Sequence, residues 1–310
     1  NQREIEALGR QYVVGKISAA TLPHYYPGSA PVTVKVLAEK GSGKLLGVQI
    51  VGGKGSAKRI DVAATALHAG HGMRAETVSL CNLTASERLR EEDPYTDGWT
   101  RVAPTRLVAL RSRFEADLNR PRDRAVYGTP ADAWGLDVWR VPPSAAVVER
   151  SLAGYDRFYA AAEALFTTLL REHERLVVFD LHSYNHRRAG AAAAPADPAD
   201  NPEVNVGTGT LDRDYWAPVV DALVSSFQEA TESSDLRDVR ENVKFTGGHF
   251  ASWSHTTFPR RVCCLAIEFK KTFMDEWTGA CDADAFASRQ GALTAAVARV
   301  LEVLPTMTDG

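Results

Sequence analysis

The sequence predicts an α/β fold in which a sheet is covered by helices on both faces. Apolar runs of strand length recur along the chain, at Val62–Leu67, Thr105–Phe114, Leu176–His182 and Val262–Phe269. Runs that are apolar on both sides suit central strands whose two faces are buried. Helical stretches intervene, at Ser144–His173, about Asp212–Thr231 and Asp282–Leu304. Strands that alternate with long helices are typical of the α/β class.

The first 60 residues differ from the rest and predict a small β-rich appendage. Pro31–Ala38 alternates apolar and polar residues, Lys40–Gly43 supplies turn residues, and Lys44–Gly52 is a second β-rich run. This pattern is typical of a β-hairpin. We therefore expect two parts, an appendage over residues 1–60 and a larger domain over residues 61–310.

Within the larger domain, three segments are predicted from their periodicity and composition. In Asp282–Leu304 apolar residues recur with a period of 3.6, which marks one buried helix face. Ser112–Leu118 alternates with period 2 and is expected to extend a strand, with Asn119 and Arg120 at its end. Ala189–Asp200 is rich in alanine and broken by proline, and it predicts a flexible loop after His182.

Composition and charge exclude several classes of function. The 310 residues are 45% hydrophobic and 24% charged, close to a globular average. A net charge of −3 offers no basic footprint for nucleic acid, and no apolar run approaches the ~18 residues of a membrane span. Among the four cysteines no CxxC occurs, which excludes zinc ribbons and dithiol motifs. The adjacent Cys263 and Cys264 indicate core residues of a reducing, cytoplasmic compartment.

Three histidines follow or end predicted strands, where ligands collect in open α/β sheets. His68 and His71 are separated by two residues after the first apolar run, and His182 shares a strand face with Asp180. Three protein ligands with a fourth open position are the pattern of catalytic zinc sites. The residues alone leave two interpretations open: a metal site, or hydrogen-bonded structural histidines, which are more common.

Glu268 lies in an otherwise apolar strand, where an acid is costly unless it is paired or functional. Two interpretations carry equal weight here: an ion pair with Lys270 or Lys271, or a general base with a raised pKa beside a water at a metal. The arginines within Arg111–Arg124 suit a substrate carboxylate held bidentately, although a solvated charged face is the alternative. No GxSxG motif supports serine catalysis.

Taken together, the segments from about Val62 onward resemble the N-formylglutamate amidohydrolase family. The resemblance covers about three-quarters of the chain and rests on His68–His71, Arg90–Asp97, Ser112–Arg122, Ala133–Trp139, Phe179–Arg188, Val204–Arg213, Gly247–His249 and Ala266–Glu276. The family is similar in fold to zinc carboxypeptidases and aspartoacylases. The resemblance therefore implies a three-layer α/β/α mixed sheet with one zinc ion at the strand ends.

The resemblance also implies a metal site. His68 and His182 match the two histidine ligands of the zinc. The second ligand of the wider superfamily is usually a glutamate; His71 occupies that position here, and Asp97 is a candidate to replace it.

Substrate and catalytic residues follow from the same resemblance. Asn119 and Arg120 match the pair that binds a substrate carboxylate, with Arg113 nearby as a further candidate, and Glu268 matches the glutamate that activates water at the zinc. The implied activity is zinc-dependent hydrolysis of the N-acyl or formyl amide of a carboxylate-bearing amino acid such as N-formylglutamate. Such an enzyme would act in histidine degradation in the cytoplasm.

The front of the chain resembles the first half of the C-terminal dimerisation domain of flavin-dependent disulfide reductases of the CoA-disulfide type. The matching text is Tyr25–Gly28, Pro31–Leu37, Gly43–Gly52 and Lys58–Gly70. Because no Rossmann unit and no redox cysteine accompany it, no reductase activity follows, while a homodimer stays an option. Val62–Gly70 suits both families, as a helix in one and a strand in the other; we expect a strand.

The chain is thus interpreted as a fusion with its junction near Arg59–His71. An alternative function remains open. The chain could be a catalytically inactive chimera that acts as an oligomerisation or interaction module through the unpaired edge of its hairpin.

Overall fold

The structure is a computed structural model that describes residues 11–20, 31–40, 45–52, 62–229, 236 and 238–307. By its backbone contacts the chain divides into two compact units, residues 1–60 and residues 61–310. Each unit is described by itself below.

The first unit contains a three-stranded antiparallel sheet in the order β1-β2-β3. Its strands are β1 (Tyr12–Ala20), β2 (Pro31–Glu39) and β3 (Leu45–Gly52). The predicted hairpin is confirmed by the antiparallel pairing of β2 with β3, which aligns Val34 with Ile50. Most of the predicted turn lies outside the described residues. The periodicity had not indicated β1, which pairs along its whole length with β2.

The second unit is built on a six-stranded mixed sheet in the order β5-β4-β6-β9-β7-β8. The strands are β4 (Val62–Ala66), β5 (Thr105–Val108), β6 (Leu176–Tyr184), β7 (Val204–Gly207), β8 (Val239–Glu241) and β9 (Val262–Lys270). Strand β7 runs antiparallel to β9, whereas the other neighbours are parallel. The predicted α/β fold class with a mixed sheet is confirmed.

Helices cover both faces of this sheet. They are α1 (Ala75–Leu80), α2 (Ala85–Glu91), α3 (Thr96–Trp99), α4 (Ala145–Leu169), α5 (Ala217–Glu229), α6 (His249–Thr257) and α7 (Ala283–Val303). Cys263 packs on one face with the apolar sides of α5 and α7, where Leu293 and Val297 are buried as their period predicted. Cys264 points to the other face, against Ser254 of α6. Both cysteines are fully buried, as expected.

The overlap between the two sequence resemblances is resolved by strand β4. Val62–Ala66 is completely buried and lies between β5 and β6 in parallel register, so the prediction of a strand is confirmed. Within the described residues, no helix is both long and apolar enough to cross a bilayer.

The predicted strand over Ser112–Leu118 was wrong. Strand β5 ends at Val108, and the chain then turns. The polar residues of the alternating pattern point inward and bond to nearby backbone. Asp117 Oδ1 accepts from the Asn119 amide at 2.8 Å, and Ser112 Oγ accepts from the Phe114 amide at 3.2 Å. Side chains that satisfy local backbone groups in this way compete with strand pairing.

Candidate active site

Three buried side chains converge where the central strands end. His68 follows β4, His182 lies near the end of β6, and Asp93 lies in the loop after α2. Asp93 Oδ2 stands 3.3 Å from His68 Nδ1 and 3.0 Å from His182 Nδ1. One ligand atom from each residue lies within 4.8 Å of the others. In the part of the chain that the structure describes, this is the one cluster of its kind that could hold a metal ion.

The outer nitrogen of each imidazole faces a second carboxylate. His68 Nε2 lies 2.8 Å from Asp117 Oδ1, and His182 Nε2 lies 3.0 Å from Asp180 Oδ2. Asp180 also accepts a hydrogen bond from Thr65 Oγ1 at 2.5 Å. Carboxylates on the far nitrogens of metal-binding histidines fix the ring orientation and tautomer. Both Nδ1 atoms face Asp93 Oδ2, so two imidazole nitrogens and one carboxylate oxygen lie close together. That donor set fits a zinc ion.

The electrostatics of the cluster favour a cation. Burial raises the pKa of Asp93, but hydrogen bonds from His182 and His68 outweigh it and hold that pKa far below its usual range. Burial also raises the pKa of Asp117, but the nearby charge of Arg113 outweighs the effect of burial. The pKa of Asp117 is therefore well below its ordinary value. Buried ionised carboxylates are costly unless they are paired or bind metal. Burial lowers the pKa of His182, but the charges of Asp180 and Glu268 outweigh it and hold that pKa well above its usual value. Imidazolium charge therefore balances the carboxylates here, and a metal ion would supply that positive charge in its place.

His71 and Asp97, the two predicted candidates for the remaining ligand, lie outside the cluster. The imidazole of His71 is 40% exposed and contacts Glu92, with Nδ1 2.5 Å from Oε2. Asp97 lies in α3 and contributes no ligand atom to the group. Asp93 occupies the third place instead. The signal that could have found it is the run Glu91–Asp93, three consecutive acids that are all buried.

Glu268 lies in β9 directly opposite His182 of β6. The ion pair that the sequence left open does not form with either lysine. Lys270 Nζ contacts Glu203 Oε1 at 2.6 Å, and Lys271 Nζ donates to backbone carbonyls. Burial raises the pKa of Glu268 to about 7, against the opposing charge of His182. A carboxylate with such a pKa can take up and release a proton at neutral pH.

A cavity of about 810 Å³ opens above the cluster, and Glu268 lines it with His68, Asp93 and His182. Its remaining walls are strongly cationic and partly aromatic. The cations are Arg113, Arg120, Arg124, Arg188, Lys244 and Lys271, and the aromatic residues are Trp134, Tyr184 and Phe245. The negative floor and the positive walls therefore face the same volume, which suits an anionic ligand that approaches a metal ion.

The Asn119 amide is held in one orientation by the N-terminus of α6. The side-chain Oδ1 of Asn119 accepts a hydrogen bond from the backbone amide of Phe250 at 3.0 Å. The backbone carbonyl of Asn119 accepts one from the backbone amide of His249 at 3.2 Å. This arrangement leaves Nδ2 as the available donor in a residue that lines the cavity. A Cβ at Gly248 would lie 2.2 Å from the Asn119 amide, so only glycine permits this approach.

The two arginines predicted to bind substrate differ in their partners. Arg113 donates to Asp117 Oδ2 at 2.8 Å, to the Glu91 carbonyl at 3.3 Å and to the Tyr127 hydroxyl at 3.1 Å. Its fork is occupied by the protein. Arg120 has a longer ion-pair contact, 3.6 Å from its Nε to Asp117 Oδ2, and it lines the cavity. Arg120 is therefore the better placed of the two to contact a ligand.

Several cavity residues were not singled out from the sequence, among them Arg188, Lys244 and Trp134. Burial and the nearby charge of Arg188 both lower the pKa of Lys244. Trp134 is 43% exposed and has a left-handed backbone, with φ of 54°. The guanidinium carbon of Arg113 lies 4.6 Å from its ring centre and that of Arg188 lies 5.7 Å away. Arg188 was visible only as part of a matching motif.

Residues 61–274 match the sequence model of a family described as N-formylglutamate amidohydrolase. Two solved structures are similar in fold. One is N-formylglutamate amidohydrolase from Ralstonia eutropha JMP134, with a TM-score of 0.62 and 18% identity over 80% of this chain and 95% of that one. The other is a gene product of Agrobacterium tumefaciens, with a TM-score of 0.57 and 17% identity over 79% of this chain and 92% of that one.

Residues 1–90 match a second family model, the dimerisation domain of pyridine nucleotide-disulphide oxidoreductases. A curated relative, the NAD(P)H coenzyme A polysulfide/persulfide reductase of Pyrococcus horikoshii, is 45% identical over 69 residues. That stretch is 22% of this chain and only 15% of the reductase. Residues 61–90 are matched by both family models, and there the structure has strand β4 and the segment that carries His68.

Proposed function

The chain belongs to the N-formylglutamate amidohydrolase family, and from that premise we propose that it is a zinc-dependent hydrolase of N-acyl amino acids with N-formylglutamate as the representative substrate. The observation that carries this proposal is the convergence of His68, Asp93 and His182 beside Glu268, beneath a cavity with cationic walls. A cytoplasmic location and a role in histidine degradation belong to the same proposal.

His68, Asp93 and His182 would hold the metal ion, with Asp117 and Asp180 orienting the two imidazoles. A bound zinc ion supplies Lewis-acid charge, which brings the pKa of water to about 7 and stabilises negative charge on a carbonyl oxygen. The set differs from the one predicted from sequence in that Asp93 replaces His71.

Glu268 is the proposed general base and acid. Its ionised carboxylate takes a proton from water as the water oxygen forms a bond to the acyl carbon. It then gives that proton to the amide nitrogen as the C–N bond breaks, so that a carboxylic acid and a free amine leave. A carboxyl group with a pKa of about 7 suits both steps, because the best proton-transfer catalyst has a pKa near the working pH.

Asn119 Nδ2 and the guanidinium of Arg120 would bind one carboxylate of the substrate, and Arg113 supports them by holding Asp117. Arg188 and Lys244 add positive charge to the same cavity. This excess of cations favours a substrate with a second carboxylate over one with an apolar side chain. The aromatic ring of Trp134 lies beside the guanidinium groups of Arg113 and Arg188, within cation–π distance of both.

The test is metal analysis of the purified full chain together with a hydrolysis assay. We expect close to one equivalent of zinc, loss of activity on chelation, recovery on adding zinc, and release of free glutamate from N-formylglutamate. N-formylglutamine, which lacks the side-chain charge, should react with a kcat/KM about 10–100-fold lower, as the loss of a charged hydrogen bond implies. Less than a tenth of an equivalent of zinc, with no activity restored by added metal, would rule the proposal out.

The first unit supports a second, structural role. We propose that residues 1–60 promote self-association into a homodimer, since residues 1–90 match a dimerisation domain. Strand β1 exposes Val13 and Val14, each about half exposed. Light scattering should then give a dimer for the full chain and a weaker dimer for Val14→Lys. A monomer at every concentration would contradict this role without affecting the hydrolase proposal. A dimer without hydrolysis would favour the alternative of an inactive interaction module.

A further inference from the structure

Lys271 is a fully buried lysine at the end of β9, only 1% exposed. Its three ammonium protons have three acceptors. Lys271 Nζ donates to the Arg90 carbonyl at 2.6 Å, to the Glu92 carbonyl at 2.6 Å and to Asn185 Oδ1 at 2.9 Å. An ammonium group has no further donors. Lys271 therefore borders the cavity but has nothing left with which to bind a substrate.

The three acceptors belong to the segments that carry the candidate active site. Asn185 lies three residues after His182, and Lys271 itself lies three residues after Glu268. The carbonyls of Arg90 and Glu92 lie on the N-terminal side of Asp93, in the last turn of α2 and just after it. One side chain thus joins the ends of β6 and β9 to the segment that leads into Asp93.

Asp93 needs such a link more than His182 or Glu268. His182 and Glu268 lie within β6 and β9, where the strand register fixes them opposite each other. Asp93 lies in the short connection between α2 and α3, and its own amide is held by one bond to the His68 carbonyl at 3.0 Å. Sites on strands are positioned more precisely than sites on loops unless surrounding contacts fix the loop.

We propose that Lys271 is a positioning residue that holds Asp93 beside the two histidines, an inference that rests on the proposed metal-dependent function. The ammonium offsets the partial negative charge of the carbonyl groups at the C-terminal end of α2. It thereby holds that end of the helix against the two central strands. Without it, two buried carbonyl groups lose their donor, and the Asp93 segment relaxes away from the sheet. Zinc affinity should fall about 10–100-fold, as when an outer partner of a metal ligand is removed.

The adjacent lysine provides a matched control. Lys270 is also buried, at 7% exposure, and it also uses its ammonium group within the protein. Its partners are Glu203 Oε1 at 2.6 Å and the Asn201 carbonyl at 2.9 Å, neither of which leads to Asp93. Either Lys270→Met or Lys271→Met should therefore lower the stability of the protein. Only Lys271→Met should change the position of Asp93.

The experiment compares the full-length wild type, Lys271→Met and Lys270→Met by two measurements. Zinc affinity is measured by competition with a chromophoric chelator, and amide hydrogen exchange is followed by mass spectrometry in the metal-free protein. We expect Lys271→Met to weaken zinc binding about 10–100-fold and to speed exchange in the peptide covering residues 88–97. Lys270→Met should leave both values within about threefold of wild type, apart from a lower melting temperature.

If Lys271→Met does not fold, Asn185→Ala removes only one of the three acceptors and should weaken zinc binding by about threefold to tenfold. The inference is overturned by unchanged exchange over residues 88–97 in Lys271→Met, or by equal losses in both lysine variants. Failure of the proposed function gives a different result. The wild type would then bind no zinc, while the exchange measurement in metal-free protein would still decide the role of Lys271.

Discussion

The floor and the walls of the cavity carry opposite charge and satisfy it differently. On the floor, acidic side chains surround two imidazoles, and most of their oxygens are already bonded within the protein. On the walls, Arg188 is paired with Glu91 at 2.6 Å and Lys244 donates to Asn201 Oδ1 at 2.5 Å. Both nevertheless line the open volume together with Arg120. The difference shows which ligand each region suits: the floor suits a metal cation, and the walls suit an anionic substrate.

A second contrast separates the acids of the floor from each other. Asp117 is bonded by His68 and Arg113, and its pKa is driven down. No hydrogen bond or ion pair to the Glu268 carboxylate is found within the described residues, and the pKa of this group is raised to about 7. Carboxyl groups whose environments push their pKa values apart are typical of acid–base sites. The carboxylate without a partner is therefore the one available for chemistry.

The largest expected effect comes from breaking the floor. His182→Ala removes one of the three proposed ligands and should reduce bound zinc to less than a tenth of an equivalent after dialysis, with hydrolysis at background. His71→Ala is the control, because its exposed imidazole lies outside the cluster and contacts Glu92. Metal analysis of both variants checks the contrast. Full zinc content in His182→Ala would contradict His182 as a ligand, and loss of zinc in His71→Ala would contradict the choice of Asp93 over His71.

The next effect tests the acid that has no partner. Glu268→Gln should lower kcat by about 10²–10⁴-fold, the usual contribution of general acid–base catalysis, while zinc content stays unchanged. In the wild type kcat/KM should fall toward acidic pH, because the carboxyl group then becomes protonated and cannot act as a base. Burial raises its pKa to about 7 in the metal-free chain, and a bound cation would lower that pKa. A pH profile and metal analysis measure both. If the acidic limb persists in Glu268→Gln, another group controls it.

A smaller effect is expected at the wall. Arg120→Met should raise KM for N-formylglutamate by about 10–100-fold, which corresponds to the loss of a charged hydrogen bond. Arg122→Met is the matched control, since Arg122 is an exposed residue paired with Asp156. Steady-state kinetics of the two variants decide the matter. Equal KM values would show that Arg120 does not contact the substrate.

The smallest effect concerns stability. The folded-state pKa of Glu268, about 7, exceeds the value of 4.5 for a free carboxyl, so ionisation above pH 7 weakens the folded state. The penalty disappears as the pH falls to the unfolded value. In metal-free protein at pH 8, Glu268→Gln should therefore raise the free energy of unfolding by about 1–2 kcal/mol. Urea denaturation at pH 8 and at pH 5 tests this prediction. If Glu268→Gln raised the free energy of unfolding equally at both pH values, ionisation of Glu268 would not be the cause.

Much of the fold was predictable because burial leaves a simple pattern. Val262–Phe269 is apolar apart from Glu268 and forms a central strand, and the period of the last helix marks its buried face. The alternation over Ser112–Leu118 misled because buried polar side chains that bond to their own loop give the same period of two. Strand β1 is nine residues long, but it had no alternation strong enough to separate it from a loop.

The candidate site was predictable in part, for an equally physical reason. His182 and Glu268 end apolar strands, and parallel strands bring their carboxyl ends together. The HxxH spacing suggested that His71 accompanies His68 at the metal site. The backbone between the two histidines instead packs against the backbone of residues 109–111. A Cβ at Gly70 would lie 2.4 Å from the Leu110 carbonyl carbon. This contact directs the chain along residues 109–111, and His71 turns toward Glu92.

By itself the sequence determined the class of fold, the strand ends that carry histidine and glutamate, and the family to which the chain belongs. These depend on local patterns and on residues matched in order. Only the tertiary structure decided which acid joins the histidines and which arginine is free for a ligand, because these depend on partners far apart in sequence. Asp93 meets His182 across 89 residues, and Lys271 meets Arg90 across 181. No periodicity records contacts at such distances.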